Sequence, residues 1–203
     1  MTDSLWDATA EQLLARTASA DPTPGGGAVA AIVGALGVGL LRMAARVSLN
    51  AAGEGPQTRL EEVEARAGEL QLRLAGAADE DTRAFETLMD AYRLPRATAA
   101  DQARRSAAIT SATLGATRTP LAVARAAADG VALADAAEPL VKASIASDVL
   151  AGRDVLLGAG LAALHTADIN LPALAACGRP EAADLQAQRD ALRALLHERR
   201  GAA

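Results

Sequence analysis

Three segments of the sequence carry residue types that suit acid–base chemistry or the binding of a small anion. In the first, residues 24–27 read Pro-Gly-Gly-Gly and open an apolar stretch. Backbone N–H groups at a helix N-terminus can hold an anion or a carbonyl oxygen, and Gly25, Gly26 and Gly27 would allow close approach. Taken alone, this segment is more simply a tight loop that leads into a buried helix.

The second segment, residues 79–96, reads DEDTRAFETLMDAYRLPR. A helix places four of its residues on one face, at positions i, i+4, i+8 and i+11: Asp81, Phe85, Met89 and Tyr92. A helix with solvated acids and buried aromatics accounts for this face well. It accounts less well for the ending Tyr-Arg-Leu-Pro-Arg, where bases and an amphipathic ring gather at one point.

The third segment, residues 144–148, reads SIASD. Ser147 has the side chain of an N-cap, and Asp148 then lies in the first turn of a helix. The positive end of the helix dipole favours an ionised carboxylate there. A simple capped helix start explains this segment, taken alone, better than a functional site does.

The sequence lacks the residues that several other common kinds of site require. His165 follows an apolar run and is typical of a packed or interface histidine, and His197 lies in a charged tail. No Cys/His spacing suits zinc, and no Ser-His-acid set or phosphate loop is present. The single cysteine, Cys177, excludes an internal disulfide and fits a reducing compartment. We expect no metal and no cofactor.

Composition narrows the class of protein further. The chain has 203 residues, 51% hydrophobic but only 1% aromatic, and a formal net charge of −5. Without a basic block, it offers no surface for nucleic acid. Residues 25–41 are uncharged but short for a membrane span, which needs ~20 apolar residues, and the N-terminus lacks the order of a signal peptide. We expect a cytoplasmic protein without a membrane or nucleic-acid partner.

Helical periodicity and the positions of proline and glycine predict one all-α domain over residues 1–203, an antiparallel bundle of long helices. A break is expected at residues 53–56, and Pro120, Pro139 and Pro172 are expected to interrupt helices. The predicted helices cover residues 5–19, the glycine run to 50, 57–93, 99–118, 120–138, 148–168 and 180–200. Small residues in the second helix suit a buried central helix or pairing with a second copy.

Together these segments resemble the formiminotransferase-cyclodeaminase / methenyltetrahydrofolate cyclohydrolase family, in its cyclodeaminase-type domain. The matching stretches occur in the expected order over nearly the whole chain: PTPGGGAVAAIVGALG at 22–37, DEDTRAFETLMDAYRLPR at 79–96, SIASDV at 144–149 and INLPAL at 169–174. The resemblance implies an all-helical homodimer without metal or redox cofactor. Its substrate would be a tetrahydrofolate derivative, with the 5,10-methenyl bridge either formed with release of ammonia or hydrolysed.

The resemblance also suggests roles for particular residues. Asp148, and second to it Asp81, would act as acid or base. The remaining candidates would bind substrate: Gly25, Gly26 and Gly27 by close approach, Tyr92 at the ring, Arg93, Arg96 and Lys142 at the glutamate tail, and Ser147 and Asn170 by hydrogen bonds. Two alternatives stay open: a non-catalytic helical dimer that binds folate or another small anion, and a helical interaction module that binds no folate.

Overall fold

The computed structural model describes residues 4–50 and 57–201, and this part of the chain contains six α-helices and no strand. The helices are α1 (Ala10–Thr17), α2 (Gly26–Leu49), α3 (Gln57–Arg93), α4 (Ala99–Ala137), α5 (Ala146–Ala176) and α6 (Glu181–Gly201). The predicted all-α fold is confirmed, and the expected bounds of α2 and α3 agree with those observed. The break expected at residues 53–56 lies outside the described residues.

The four long helices α2–α5 form a closed ring in which every neighbouring pair is antiparallel. Along α2 and α5, for example, Gly26 lies against Thr166 and Gly37 lies against Gly152. The pairs α2–α3, α3–α4 and α4–α5 run in opposite directions in the same way. Helix α6 packs along α4 and α5. The result is the up-and-down bundle that short connections favour.

Small residues set the distance between α2 and α5. A Cβ atom at Gly152 would lie 2.7 Å from the carbonyl oxygen of Gly37, so a larger residue would push the two backbones apart. Helix α2 has a mean hydropathy of 2.0, enough by length and composition to cross a membrane, and 61% of this stretch is buried in the bundle. Among the described residues it is the one helix with that property. It is buried on the faces toward α3 and α5 but is not surrounded as the expected central helix would be, since Val33, Leu36 and Val47 are exposed.

Two expected helix breaks are wrong, because α4 continues through Pro120 and α5 continues through Pro172. Pro120 is buried, and the residues on both sides of it pack into the core. Leu171 and Leu174 likewise bury the last turns of α5. The packing of these flanks outweighs the hydrogen bond that each proline removes. The break expected at Pro139 is confirmed, since α4 ends at Ala137.

Two predictions about helix starts are also wrong. The helix expected at residues 5–19 is divided into a 3-10 turn, Leu5–Asp7, and α1, because Thr9 and Gln12 form a capping box that begins a new helix at Ala10. Ser147 does not cap α5. The helix begins at Ala146 and not at the expected Asp148, with Ile145 at the N-cap position and no side-chain cap bond.

Candidate active site

A cleft of about 700 Å³ opens at the end of the bundle where α2 begins. Helices α3 and α5 continue past Gly26, the first residue of α2, and α4 closes the far side between them. The loop before α2 lines the remaining edge. The cleft thus occupies the place in the ring that α2 would fill if it were longer.

Asp81 on α3 is the carboxylate of this cleft, and it meets the N-terminus of α2. Its side chain accepts a hydrogen bond from the backbone N–H of Ala28. The N-cap residue of α2, Gly25, has no side chain to bond the free N–H groups of the first turn, so Asp81 takes that role from a neighbouring helix. A methyl group at Gly27 would overlap the Asp81 carboxylate, which explains why glycine stands there.

The surroundings of Asp81 change its acidity. Burial raises the pKa of Asp81 above the ordinary value of 3.8, and the hydrogen bond from Ala28 opposes the rise only in part. A carboxyl group with a raised pKa in a cleft is a stronger base than a solvated one. Asp81 is therefore placed to accept a proton from a ligand or a water molecule in the cleft.

Helix α3 supplies a flat apolar wall next to this carboxylate. The predicted face is confirmed, because Asp81, Phe85, Met89 and Tyr92 all line the cleft. The Tyr92 side chain is 46% exposed at the rim. The Arg105 guanidinium lies 5.8 Å from the Tyr92 ring centroid, and its Nη2 donates to the Tyr92 carbonyl at 3.1 Å. These contacts hold the ring where a planar ligand could lie against it.

Helix α5 forms the opposite wall, and here the sequence interpretation missed a residue. His165, expected to be packed or at an interface, is exposed and lines the cleft together with Thr166 and Ile169. Its spacing of three residues from Ala162 and four from Ile169, on one helical face, was the available signal. Asn170 lines the cleft, and its side-chain Nδ2 donates to the Ala116 carbonyl of α4 at 3.1 Å.

Three predicted site residues lie at the opposite end of the chain's bundle. Asp148 and Ser147 begin α5, about 27 Å along the helix from Thr166 at 1.5 Å per residue. The backbone N–H of Lys142 donates to Ser48 Oγ, near the C-terminal end of α2. A single chain therefore does not bring these three residues to the cleft that holds Asp81.

The two arginines expected at the ligand's anionic tail lie beside the cleft but do not line it. Arg93 is exposed and pairs with Asp90, with Nη1 2.8 Å from Oδ1. Arg96 is exposed in the loop after α3, where its carbonyl accepts from Gln102 Nε2. Among the described residues that line the cleft there is no lysine or arginine.

Comparison with known proteins agrees with this fold. The family model for formiminotransferase-cyclodeaminase matches residues 9–188. A methenyltetrahydrofolate cyclohydrolase of Methylorubrum extorquens is 34% identical over 170 residues, which cover 80% of this chain and 77% of the relative. The crystal structure of formiminotetrahydrofolate cyclodeaminase from Thermotoga maritima has the same fold, with a TM-score of 0.73, 22% identity and 97% of each chain covered. The chain belongs to the formiminotransferase-cyclodeaminase family.

Proposed function

We propose that this protein is an enzyme of folate one-carbon metabolism that hydrolyses 5,10-methenyltetrahydrofolate to 10-formyltetrahydrofolate. The observation that carries the proposal is the desolvated carboxylate of Asp81 in an apolar cleft. Such a carboxylate attracts the delocalised positive charge of the methenyl bridge and can accept a proton close to it. The 34% identical relative, named a methenyltetrahydrofolate cyclohydrolase, supports this choice of reaction.

The size and lining of the cleft suit such a substrate. Ligand sites are commonly 300–1,000 Å³ and mostly apolar with a few polar groups, and this cleft has about 700 Å³. The pterin ring would lie between the α3 wall, with Phe85 and Tyr92, and the α5 wall. Gly25 and Gly26 leave the backbone of the α2 N-terminus open to close approach, whereas the space at Gly27 is taken by the Asp81 carboxylate.

The proposed step conserves atoms and charge. Asp81 accepts a proton from a water molecule as the water oxygen attacks the methenyl carbon. The bond from this carbon to N5 then breaks, the second proton of the water passes to N5, and the formyl group stays on N10. One water is consumed and one proton is released to solvent. No electron is transferred, so the proposal includes no redox cofactor, and it includes no metal.

A second copy of the chain completes the proposed site. Helix α2 has a stripe of six exposed or partly exposed apolar residues at alternating spacings of four and three: Val29, Val33, Leu36, Leu40, Met43 and Val47. Leu36 is 61% exposed at its centre. This spacing is that of a coiled-coil seam, which packs against an equivalent helix. We therefore expect a homodimer in which α2 pairs with α2 of the partner subunit.

A two-fold axis at the centre of the stripe makes the paired helices antiparallel, with Val29 opposite the partner subunit's Val47. The N-terminal end of α2, at the cleft, then meets the C-terminal end of the partner's helix. At that end, Lys142 is bonded to Ser48 and α5 begins. This arrangement would bring the partner subunit's Lys142, Ser147 and Asp148 to a cleft whose described lining has no lysine or arginine.

In this composite site each residue has a role that the chemistry requires. The partner subunit's Lys142 would bind the glutamate tail, with Arg93 and Arg96 at the rim. The partner subunit's Asp148 would supply a second carboxyl group to transfer a proton, and the partner subunit's Ser147 a hydrogen bond to the substrate. We place the enzyme in the cytoplasm, where an exposed free thiol such as Cys177 persists.

The first test is the decay of the 5,10-methenyltetrahydrofolate chromophore with purified protein, measured against a protein-free blank. Decay well above the blank is expected. If it is absent and ammonia is released from 5-formiminotetrahydrofolate, the enzyme is a cyclodeaminase, the reaction named for the Thermotoga maritima protein. If neither occurs while tetrahydrofolates raise the melting temperature, the chain is a non-catalytic folate binder. A protein without any of these responses is a helical interaction module.

A further inference from the structure

We propose that Pro120, which does not line the cleft, is a positioning residue that fixes the side-chain amide of Asn170 through the carbonyl of Ala116. The inference rests on the proposed function only in that the cleft is taken as the substrate site. The contacts run from Pro120 in the core of α4, through the Ala116 carbonyl, to Asn170 on the α5 wall of the cleft.

The first step is a carbonyl left free inside a helix. In α4 the carbonyl of Ala116 would ordinarily accept from the N–H four residues later, at position 120. Proline has no N–H, so that bond cannot form. Pro120 is buried and Ala116 lines the cleft, so the free carbonyl oxygen lies at the junction of core and cleft.

The second step is the replacement of the missing donor. Asn170 Nδ2 lies 3.1 Å from the Ala116 oxygen and donates to it across the α4–α5 interface. A carbonyl oxygen only accepts hydrogen bonds, so the nitrogen of the Asn170 amide must face it. No other hydrogen bond joins the Asn170 side chain to residues in the described ranges. The orientation of this amide therefore depends on the carbonyl that Pro120 leaves free.

The third step is the consequence for the ligand. With Nδ2 bound to α4, the Asn170 side chain offers the cleft its oxygen, which is an acceptor. The cleft then holds two acceptors on different walls, Asn170 Oδ1 on α5 and the Asp81 carboxylate on α3. Asn170 Oδ1 can then accept from a ring N–H or amino donor of a reduced pterin, while the Asp81 carboxylate stays free to act as the base. An unfixed amide could turn its NH2 group into the cleft and would repel these donors.

The test substitution is Pro120→Ala, which restores an N–H that can bond the Ala116 carbonyl and compete with Asn170. Alanine also removes a proline from a helix interior, so the melting temperature should stay equal or rise. We expect the KM for 5,10-methenyltetrahydrofolate to rise about tenfold, the loss of one oriented hydrogen bond, with kcat changed less than about threefold. A merely structural role for Pro120 would not raise KM in a protein of undiminished stability.

The matched control is Pro172→Ala, because Pro172 also lies inside a helix but is exposed and does not line the cleft. Its melting temperature should rise in the same way, with KM unchanged. A double-mutant cycle adds specificity: in an Asn170→Leu background, Pro120→Ala should have no further effect on KM. An unchanged KM in Pro120→Ala, or an equal effect in both backgrounds, would overturn the inference.

A measurement without turnover separates this inference from the proposed function. In the ¹⁵N–¹H spectrum of the full chain, the side-chain amide resonances of Asn170 should shift in Pro120→Ala and not in Gly158→Ala, a substitution on the same helix as Asn170 whose added methyl meets nothing within 4 Å. If the wild type turns over neither substrate but these resonances shift, the proposed function fails and the positioning role stands. If the wild type is active and the resonances do not move, the positioning role fails alone.

Discussion

At the residue scale, the environment of Asp81 acts on its pKa in two directions, and burial outweighs the hydrogen bond from Ala28. Folding therefore favours the protonated form of this carboxyl group. The contribution of Asp81 to stability is largest at low pH and declines as pH rises from about 3.8 through the higher pKa of the folded protein. The raised pKa that suits the proposed base therefore has some cost in stability at neutral pH.

The first prediction concerns Asp81→Asn. Its amide oxygen can still accept from Ala28, so the fold should persist, but it cannot accept the proton of the attacking water. We expect turnover of 5,10-methenyltetrahydrofolate to fall by roughly 10²–10⁴-fold, the usual contribution of general base catalysis. The melting temperature at neutral pH should be equal or higher, because the ionisation of a buried carboxyl group is removed. Near-wild-type turnover would remove Asp81 from the mechanism.

The second prediction follows from the same pKa. The rate of enzymatic hydrolysis should rise with pH as Asp81 loses its proton, and the midpoint of the rise in kcat/KM should lie above 3.8. The measurement is the pH profile of chromophore decay, corrected for the protein-free rate at each pH. A profile that stays flat from about pH 4 to 7 would contradict the assignment of Asp81 as the base.

At the scale of secondary structure elements, the start of α2 links fold and chemistry. Gly25, at the N-cap position, has no side chain to bond the first turn. The Asp81 carboxylate of α3 accepts from the Ala28 N–H instead, and it fits there only because Gly27 has no side chain. The position of the proposed base is therefore set by the backbone of another helix. The chain loses part of the stability of a conventional N-cap and gains a carboxylate held toward the cleft.

The third prediction tests this link with Gly27→Ala. Its methyl group would overlap the Asp81 carboxylate and force it away from Ala28. We expect hydrolysis to fall nearly as far as in Asp81→Asn, with a lower melting temperature. The matched control is Gly76→Ala on α3, where an added methyl meets nothing within 4 Å. That control should keep its activity and gain about 0.5–1 kcal/mol of unfolding free energy in chemical denaturation.

At the scale of the whole molecule, the segments that resemble the family place their candidate site residues at two opposite ends of a single chain's bundle. Asp81, Tyr92 and Asn170 meet at one end of the bundle, whereas Asp148 and Lys142 lie at the other. The exposed stripe of α2 runs between the two ends. Pairing of two antiparallel α2 helices is the arrangement that would join the separated groups in each of two equivalent sites.

The fourth prediction concerns the stripe itself. Leu36→Glu places a charge at the centre of the proposed interface and should shift the protein from dimer to monomer in sedimentation analysis, with loss of turnover. Leu195→Glu is the control, since Leu195 is an exposed leucine on α6, away from α2, and is 38% exposed. It should keep both dimer and activity. A wild type that sediments as a monomer would refute the composite site.

The fifth prediction tests whether both subunits build each site. Asp81→Asn and Asp148→Asn should each be inactive as homodimers. Mixed by unfolding and refolding together, they should recover about a quarter of wild-type turnover, because half of the dimers are mixed and each has one intact site. If both carboxylates acted from one chain, every site would lack one of them and no activity would return.

Much of this protein follows from the sequence by local physics. The 3.6-residue period placed Asp81, Phe85, Met89 and Tyr92 on one face, and the proline–glycine run marked the start of α2. Both inferences concern residues close together in the chain, where backbone geometry decides. The motifs that resemble a known family likewise gave its all-helical fold.

Only the tertiary structure decided which distant residues meet. Pro120 and Pro172 were expected to break helices, but burial of their flanks keeps both helices continuous. His165 faces the cleft, and Asp148 lies at the far end of its own chain's bundle. These outcomes depend on packing between helices. The free energy of that packing comes from residues far apart in the sequence, so a local sequence pattern does not predict it.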